Sequence, residues 1–137
     1  MTLVWIVIGF MSGSIPWAAI TVKFISGKSV RDVGDGNPGA TNAWKSSGWL
    51  VGMSVLILEI AKSFIPIYLA MILINDFSGM DGTILLSLIA LAPILGHAWS
   101  PFLKFKGGKA LAPSWGSWIA LTNGMALPAG VTLLGIL

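Results

Sequence analysis

Residues 49–74 read WLVGMSVLILEIAKSFIPIYLAMILI, a run long enough to cross the hydrocarbon core of a bilayer, which takes about 20 residues at 1.5 Å of rise each. Only Glu59 and Lys62 interrupt it with charge. The rest of the chain has the same character. Its 137 residues are 55% hydrophobic and 9% charged, with a mean hydropathy of +0.88, whereas a soluble domain carries about 25% charged residues. Eight basic and five acidic residues cannot cover a water-facing sphere, so a soluble globular domain is excluded and lipid is the expected solvent. In lipid a spanning backbone must satisfy its own polar groups, and runs of this length do so as helices. The expected fold class is therefore all-α, a polytopic helical membrane protein.

Outward from that segment, residues 2–22 carry no charge and form a first expected span. It lacks the basic start of a cleavable leader, so it reads as a retained helix, interrupted by Ser12-Gly13-Ser14-Ile15-Pro16. Small residues inside a span let a neighbouring helix pack closely. A third span is expected over residues 82–103. A short, partly re-entrant fourth follows over residues 110–121, ended by Thr122-Asn123-Gly124, and a fifth begins near Leu127 beyond that turn and ahead of Pro128. Residues 1–137 read as one membrane domain. The end at Gly135-Ile136-Leu137 has no polar flank, which suggests a shortened form of a longer chain, stopping inside its fifth span.

Seven of the eight basic residues lie in the first connection (Lys23, Lys28, Arg31, Lys45) and the third (Lys104, Lys106, Lys109), while the second holds only Asp76 and Asp81. The positive-inside rule then puts both basic connections in the cytoplasm and the N-terminus outside. Trp44, Trp49, Trp99, Trp115 and Trp118 fall near span ends, where indoles anchor at the headgroup level.

The absence of cysteine removes disulfides, thiol nucleophiles and thiolate metal sites, and a single histidine, His97, cannot build a histidine cluster. No cofactor or metal site is expected. Nucleic acid is disfavoured because the charges sit between apolar spans rather than on a dense basic face. Both basic connections are also rich in glycine: Gly34-Asp35-Gly36-Asn37-Pro38-Gly39-Ala40-Thr41-Asn42 and Lys106-Gly107-Gly108-Lys109. Glycine lets backbone amides approach an anion and lysine supplies countercharge, so the pair of loops suits phosphate. The second loop alone reads equally as an interfacial anchor. It is not a nucleotide-binding P-loop, since Leu103 stands where that spacing requires glycine. Glu59 and Lys62 share one helical face deep in a span, which suits a structural ion pair. His97 has no partner nearby in sequence and reads as a packing or interfacial group that still bears on an anionic ligand.

Gly13-Ser14-Ile15-Pro16, the stretch Arg31-Asp32-Val33-Gly34-Asp35-Gly36-Asn37-Pro38-Gly39-Ala40-Thr41-Asn42, Leu58-Glu59 with Lys62, and Gly96-His97 through Phe105-Lys106-Gly107-Gly108-Lys109 together resemble, in order and spacing, the bacterial membrane-integral glycerol-3-phosphate acyltransferases that use acyl phosphate. The resemblance implies a seven-span enzyme of the bacterial inner membrane, of which about five spans are present here. It implies transfer of an acyl group from acyl phosphate to the 1-hydroxyl of sn-glycerol 3-phosphate, giving lysophosphatidic acid in phospholipid synthesis. The implied partners are those two substrates and membrane lipid, with a lipid-side groove for the acyl chain. Matching positions place Asp35, Asn37 and Lys109 as catalytic. They assign phosphate or substrate binding to Arg31, Gly36, Gly39, Thr41, Asn42, Lys45, His97 and Lys106, and to the Gly107-Gly108 backbone.

The chain departs from the family pattern at Asp35, where serine is usual, and at Glu59 (aspartate), Ser63 (glycine), Ala110 (glycine) and Pro113 (threonine). A carboxylate at position 35 opposes a phosphate unless it is protonated, paired with Arg31 or Lys45, or bridged by a divalent cation. These departures define the alternative, a non-catalytic phosphate- or phospholipid-binding relative. A transporter is disfavoured because the polar groups cluster in loops, with only Glu59 and Lys62 deep in a span.

Overall fold

The structure, a computed structural model, describes residues 2–74 and 77–125, and among these every regular element is helical. Helix α1 (Thr2–Ser14) is followed after Ile15-Pro16 by α2 (Trp17–Ser26). The expected first helix is thus broken, because Pro16 lacks the N–H that would continue the ladder. Its second half also runs past the charged Lys23, whose Nζ reaches forward to the Gly27 carbonyl at 3.1 Å. A single 3-10 turn (Val30–Asp32) and the short α3 (Ala40–Ser47) lead into α4 (Trp49–Leu73). Helix α5 (Gly79–Ala98), a second 3-10 turn (Pro101–Leu103) and α6 (Leu111–Leu121) complete the described chain.

Three segments, Leu3–Ser26, Trp49–Leu73 and Gly79–Leu103, are long and apolar enough to cross a membrane. Helix α6, with 11 residues, rises only about 16 Å and agrees with the short fourth segment expected. The expected fifth span and the chain end lie outside the described residues, as does Asp76.

Close helix contacts fall at glycines. A Cβ on Gly13 would strike the Pro93 carbonyl and one on Gly96 the Phe10 carbonyl, so α1 and α5 approach backbone to backbone. Gly116 lets α6 meet α4 at the Ile60 carbonyl, and a Cβ on Gly52 would lie 2.6 Å from that of Trp44, where α3 crosses α4. These contacts match the packing expected of small residues within spans. Two apolar clusters fill the interior. Ala18, Val22, Val30, Ala43 and Val55 lie beside the first loop, and Ile67, Ala70, Ile89 and Ala120 form the other. Outward-facing Leu3, Ile57, Ile65, Leu73, Ile84 and Leu91 are exposed, as suits helices whose surroundings are hydrocarbon. Trp44, Trp49, Trp99 and Trp118 are exposed as expected of anchors, whereas Trp115 turns inward to line a cavity.

Candidate functional site

The two glycine-rich connections meet at one end of the bundle. The first is organised by Asp35. Its Oδ1 accepts from the Asn37 backbone N–H at 3.2 Å and from Asn42 Nδ2 at 2.8 Å, and Asn42 Nδ2 also reaches the Asn37 carbonyl at 2.9 Å. Gly34 and Gly36 flank Asp35 with φ of 61° and 72°, left-handed values that favour glycine. The second connection is tied to the first by Lys109. Its Nζ lies 2.7 Å from Asp35 Oδ2 and its N–H donates to Asn37 Oδ1 at 3.1 Å.

The carboxylate at position 35 is therefore neutralised by Lys109 rather than by Arg31 or Lys45, the two partners weighed from the sequence. The Arg31 guanidinium donates instead to the Lys106 carbonyl, a second tie between the loops, and Lys45 is exposed in the last turn of α3. Lys109, Asn42 and the Asn37 amide hold the Asp35 carboxyl well below the usual carboxylate range. A depressed acid contributes its tie above its unfolded value and loses it only as pH falls through the lower folded one, so the contact persists throughout the neutral range. Both side chains are more than half exposed, and the pair matters for where it puts Lys109 rather than for stability. Asp35→Ser is expected to free the ammonium and tighten inorganic phosphate binding roughly fivefold, the scale of one exposed ion pair. Calorimetric titration reads this, and unchanged or weaker binding would mean that the placement Asp35 gives Lys109 outweighs the charge it neutralises.

Beneath the loops lies a cavity of about 500 Å³. Its polar end is formed by Asn37, Gly39, Thr41 and Lys109, and its walls, including Leu56, Ile60, Pro113 and Trp115, are apolar. Two helices begin at it. Helix α3 starts after Gly39 and α6 after Ala110, and neither first turn is capped by a side chain, which leaves the positive ends of both helices turned toward the cavity. Ala110, where the family pattern has glycine, sits at φ 58°, a left-handed conformation that costs a residue with a Cβ about 1–2 kcal/mol.

The Gly107 and Gly108 amides were expected to bind phosphate, but both donate elsewhere. Gly107 N–H reaches the Ala98 carbonyl at 3.1 Å and Gly108 N–H the His97 carbonyl at 3.3 Å, satisfying carbonyls that the end of α5 leaves open. The residues must be glycine because the loop lies against α5: a Cβ on Gly107 would strike the His97 carbonyl, and one on Gly108 the His97 ring. Gly36 and Lys106 contribute through backbone geometry, Gly36 by its positive φ and Lys106 by the carbonyl that holds Arg31.

At the inner side of the cavity, Glu59 and Lys62 form the expected ion pair at 2.7 Å. His97, expected to stand alone, joins them: Nδ1 is 3.0 Å from Glu59 Oε2 and 2.9 Å from Lys62 Nζ. Lys62 Nζ also donates to the Ile15 carbonyl at 2.9 Å. All three side chains are buried. Neither Glu59 Oε1 nor Oε2 has an aligned hydrogen-bond donor among the described residues, so the carboxylate is balanced by the charge proximity of Lys62. The available signal was that the only charges deep in a span and the only histidine all lie on segments bordering the loops. His97 and Glu59 both line the cavity.

The chain is thus a helical bundle with an apolar exterior, two loops locked together at one end and two open helix N-termini beside a lysine. A family model described as glycerol-3-phosphate acyltransferase matches residues 3–137, and the chain belongs to that family. Glycerol-3-phosphate acyltransferase 1 of Thermotoga maritima is 42% identical over 118 residues, covering 86% of this chain and 56% of its own length. A glycerol-3-phosphate acyltransferase of Anaeromyxobacter sp. is 38% identical over 130 residues, 95% of this chain and 63% of that protein. The crystal structure of PlsY, described as an integral membrane glycerol 3-phosphate acyltransferase in its glycerol 3-phosphate form, matches with a TM-score of 0.85 and 32% identity, over 98% of this chain and 64% of that one. The chain thus spans between about half and two-thirds of the length of these relatives.

Proposed function

We propose that this chain forms the phosphate-binding part of an acyltransferase that moves an acyl group from acyl phosphate to the 1-hydroxyl of sn-glycerol 3-phosphate. One observation carries the reading. The uncapped starts of α3 and α6 and Lys109 border one end of a cavity whose remaining walls, apart from Glu59 and His97 at the inner side, are apolar. That is the shape of a ligand with a phosphate head and an acyl tail. Oriented amides receive phosphate oxygens, Lys109 neutralises them, and Asn37 and Thr41 supply hydrogen bonds. The apolar wall between α4 and α6 receives the first part of the acyl chain.

Acyl phosphate is an activated mixed anhydride, so no protein nucleophile is required. The hydroxyl oxygen bonds to the carbonyl carbon, the bond from that carbon to the phosphate oxygen breaks, and the hydroxyl proton leaves with the released phosphate. The protein's task is to align hydroxyl against carbonyl and to balance the charge that develops. Asp35, held ionised by Lys109, is too weak a base for that proton; its part is to place Lys109 and brace the loop through Asn37 and Asn42. Basic loops on the cytoplasmic side of the bacterial inner membrane would meet both substrates there.

In lipid, the full-length protein is expected to release phosphate from acyl phosphate only when glycerol 3-phosphate is present. Lys109→Ala is expected to lower the rate by about 10²-fold or more, the scale of losing one charge-stabilising contact in a transition state. Release no faster than in the Lys109→Ala protein would sink the proposal. The contact of Asp35 with Lys109 favours one second reading, a relative that binds glycerol 3-phosphate without turning it over; saturable binding with no acyl transfer would establish it.

A further inference from the structure

Lys62 has three ammonium hydrogens inside the helix bundle: Nζ is hydrogen-bonded to the Ile15 carbonyl at 2.9 Å and to His97 Nδ1 at 2.9 Å, and Glu59 Oε2 lies 2.7 Å away as its ion-pair partner. A buried ammonium is tolerable when each of its protons is accepted. Nδ1 also lies 3.0 Å from Glu59 Oε2, so a proton on Nδ1 would have an acceptor. That arrangement, however, sets the ring N–H against an ammonium N–H at 2.9 Å, donor facing donor, and strands the third Lys62 proton. With Nδ1 accepting from Lys62, the ring proton sits on Nε2.

Nε2 is on the other edge of the ring, toward the loops. A Cβ on Gly108 would collide with it while lying 3.1 Å from Asn37 Oδ1. The missing side chain at Gly108 therefore keeps open a gap between the imidazole and Asn37, at the border of the cavity that both residues line.

We infer that Lys62 is a positioning residue that fixes His97 as the Nε2–H tautomer, making the imidazole a hydrogen-bond donor to a phosphate-bearing ligand in the cavity. Glu59 acts one step further back by holding Lys62. The ligand half of this inference rests on the proposed function; the tautomer half does not.

His97 is the only histidine in the chain, so isotope-labelled histidine gives a single imidazole in nitrogen NMR of the protein in lipid nanodiscs. The expected spectrum has a protonated, pyrrole-type Nε2 and an unprotonated, pyridine-type Nδ1. In Lys62→Met, which keeps the length of the side chain and removes its donors, the proton is expected to move to Nδ1 and serve Glu59. A wild-type spectrum with Nδ1 protonated overturns the inference whether or not the variant folds. Addition of glycerol 3-phosphate is expected to shift the Nε2 resonance together with the ammonium resonance of Lys109. If Lys109 responds and Nε2 does not, the donor role of His97 fails while the proposed function stands; if neither responds, both fail.

Discussion

Glu59→Ala is expected to lower stability by about 3–5 kcal/mol, at least a hundredfold in the ratio of folded to unfolded protein, the range found when one partner of a buried ion pair is removed. Glu59 is 1% exposed and Lys62 4%, so the ammonium left behind cannot turn to water without opening the bundle. Unfolding in mixed micelles reads the loss. Two further variants separate charge from packing. Glu59→Asp keeps the carboxylate one methylene shorter and is expected to lose less than half as much. Glu59→Ala combined with Lys62→Met, which leaves no orphan ammonium, is expected to be more stable than Glu59→Ala alone. A single variant as stable as wild type would mean that Lys62 draws no support from Glu59.

Gly107→Ala is expected to reduce turnover by about 10²-fold while helix content stays unchanged. The added methyl would strike the His97 carbonyl and lie 2.6 Å from that of Ala98, both backbone atoms at the end of α5 that cannot swing aside. The loop must therefore lift, and it carries Lys109 two residues on. A displacement near 1 Å at a group that aligns a substrate costs about this much in rate. The check is acyl transfer measured beside circular dichroism. Full activity in the variant would show that the loop can rise without moving the ammonium.

The spans were legible because a bilayer imposes one requirement on any crossing segment, a long apolar helix, and that requirement is written locally. Trp49–Leu73 agrees with the expected residues 49–74 to within one residue, and the Glu59–Lys62 pair follows from helical spacing alone. Contacts across the chain were not legible. Nothing local to Asp35 distinguishes Lys109, 74 residues away, from the nearer Arg31 and Lys45, because the choice depends on which loop end the bundle brings close. His97 looked solitary because its partners sit on another helix, 35 residues from Lys62. The contacts of Gly107 and Gly108 with α5 were not legible for a related reason: a glycine that admits an anion and one that admits a helix end look alike until the neighbour is seen.

The break after Ser14 has a consequence for biosynthesis. Its two carbonyls are claimed by side chains made much later, Ile15 by Lys62 and Ser14 by Ser100, whose Oγ donates at 2.6 Å. The Ile15 carbonyl also accepts from the Trp17 N–H at 3.0 Å, so it is the Ser14 carbonyl that hydrocarbon would leave without its donor until Ser100 is made. The polar break between α1 and α2 is thus completed by residues 47 and 86 positions further along the chain.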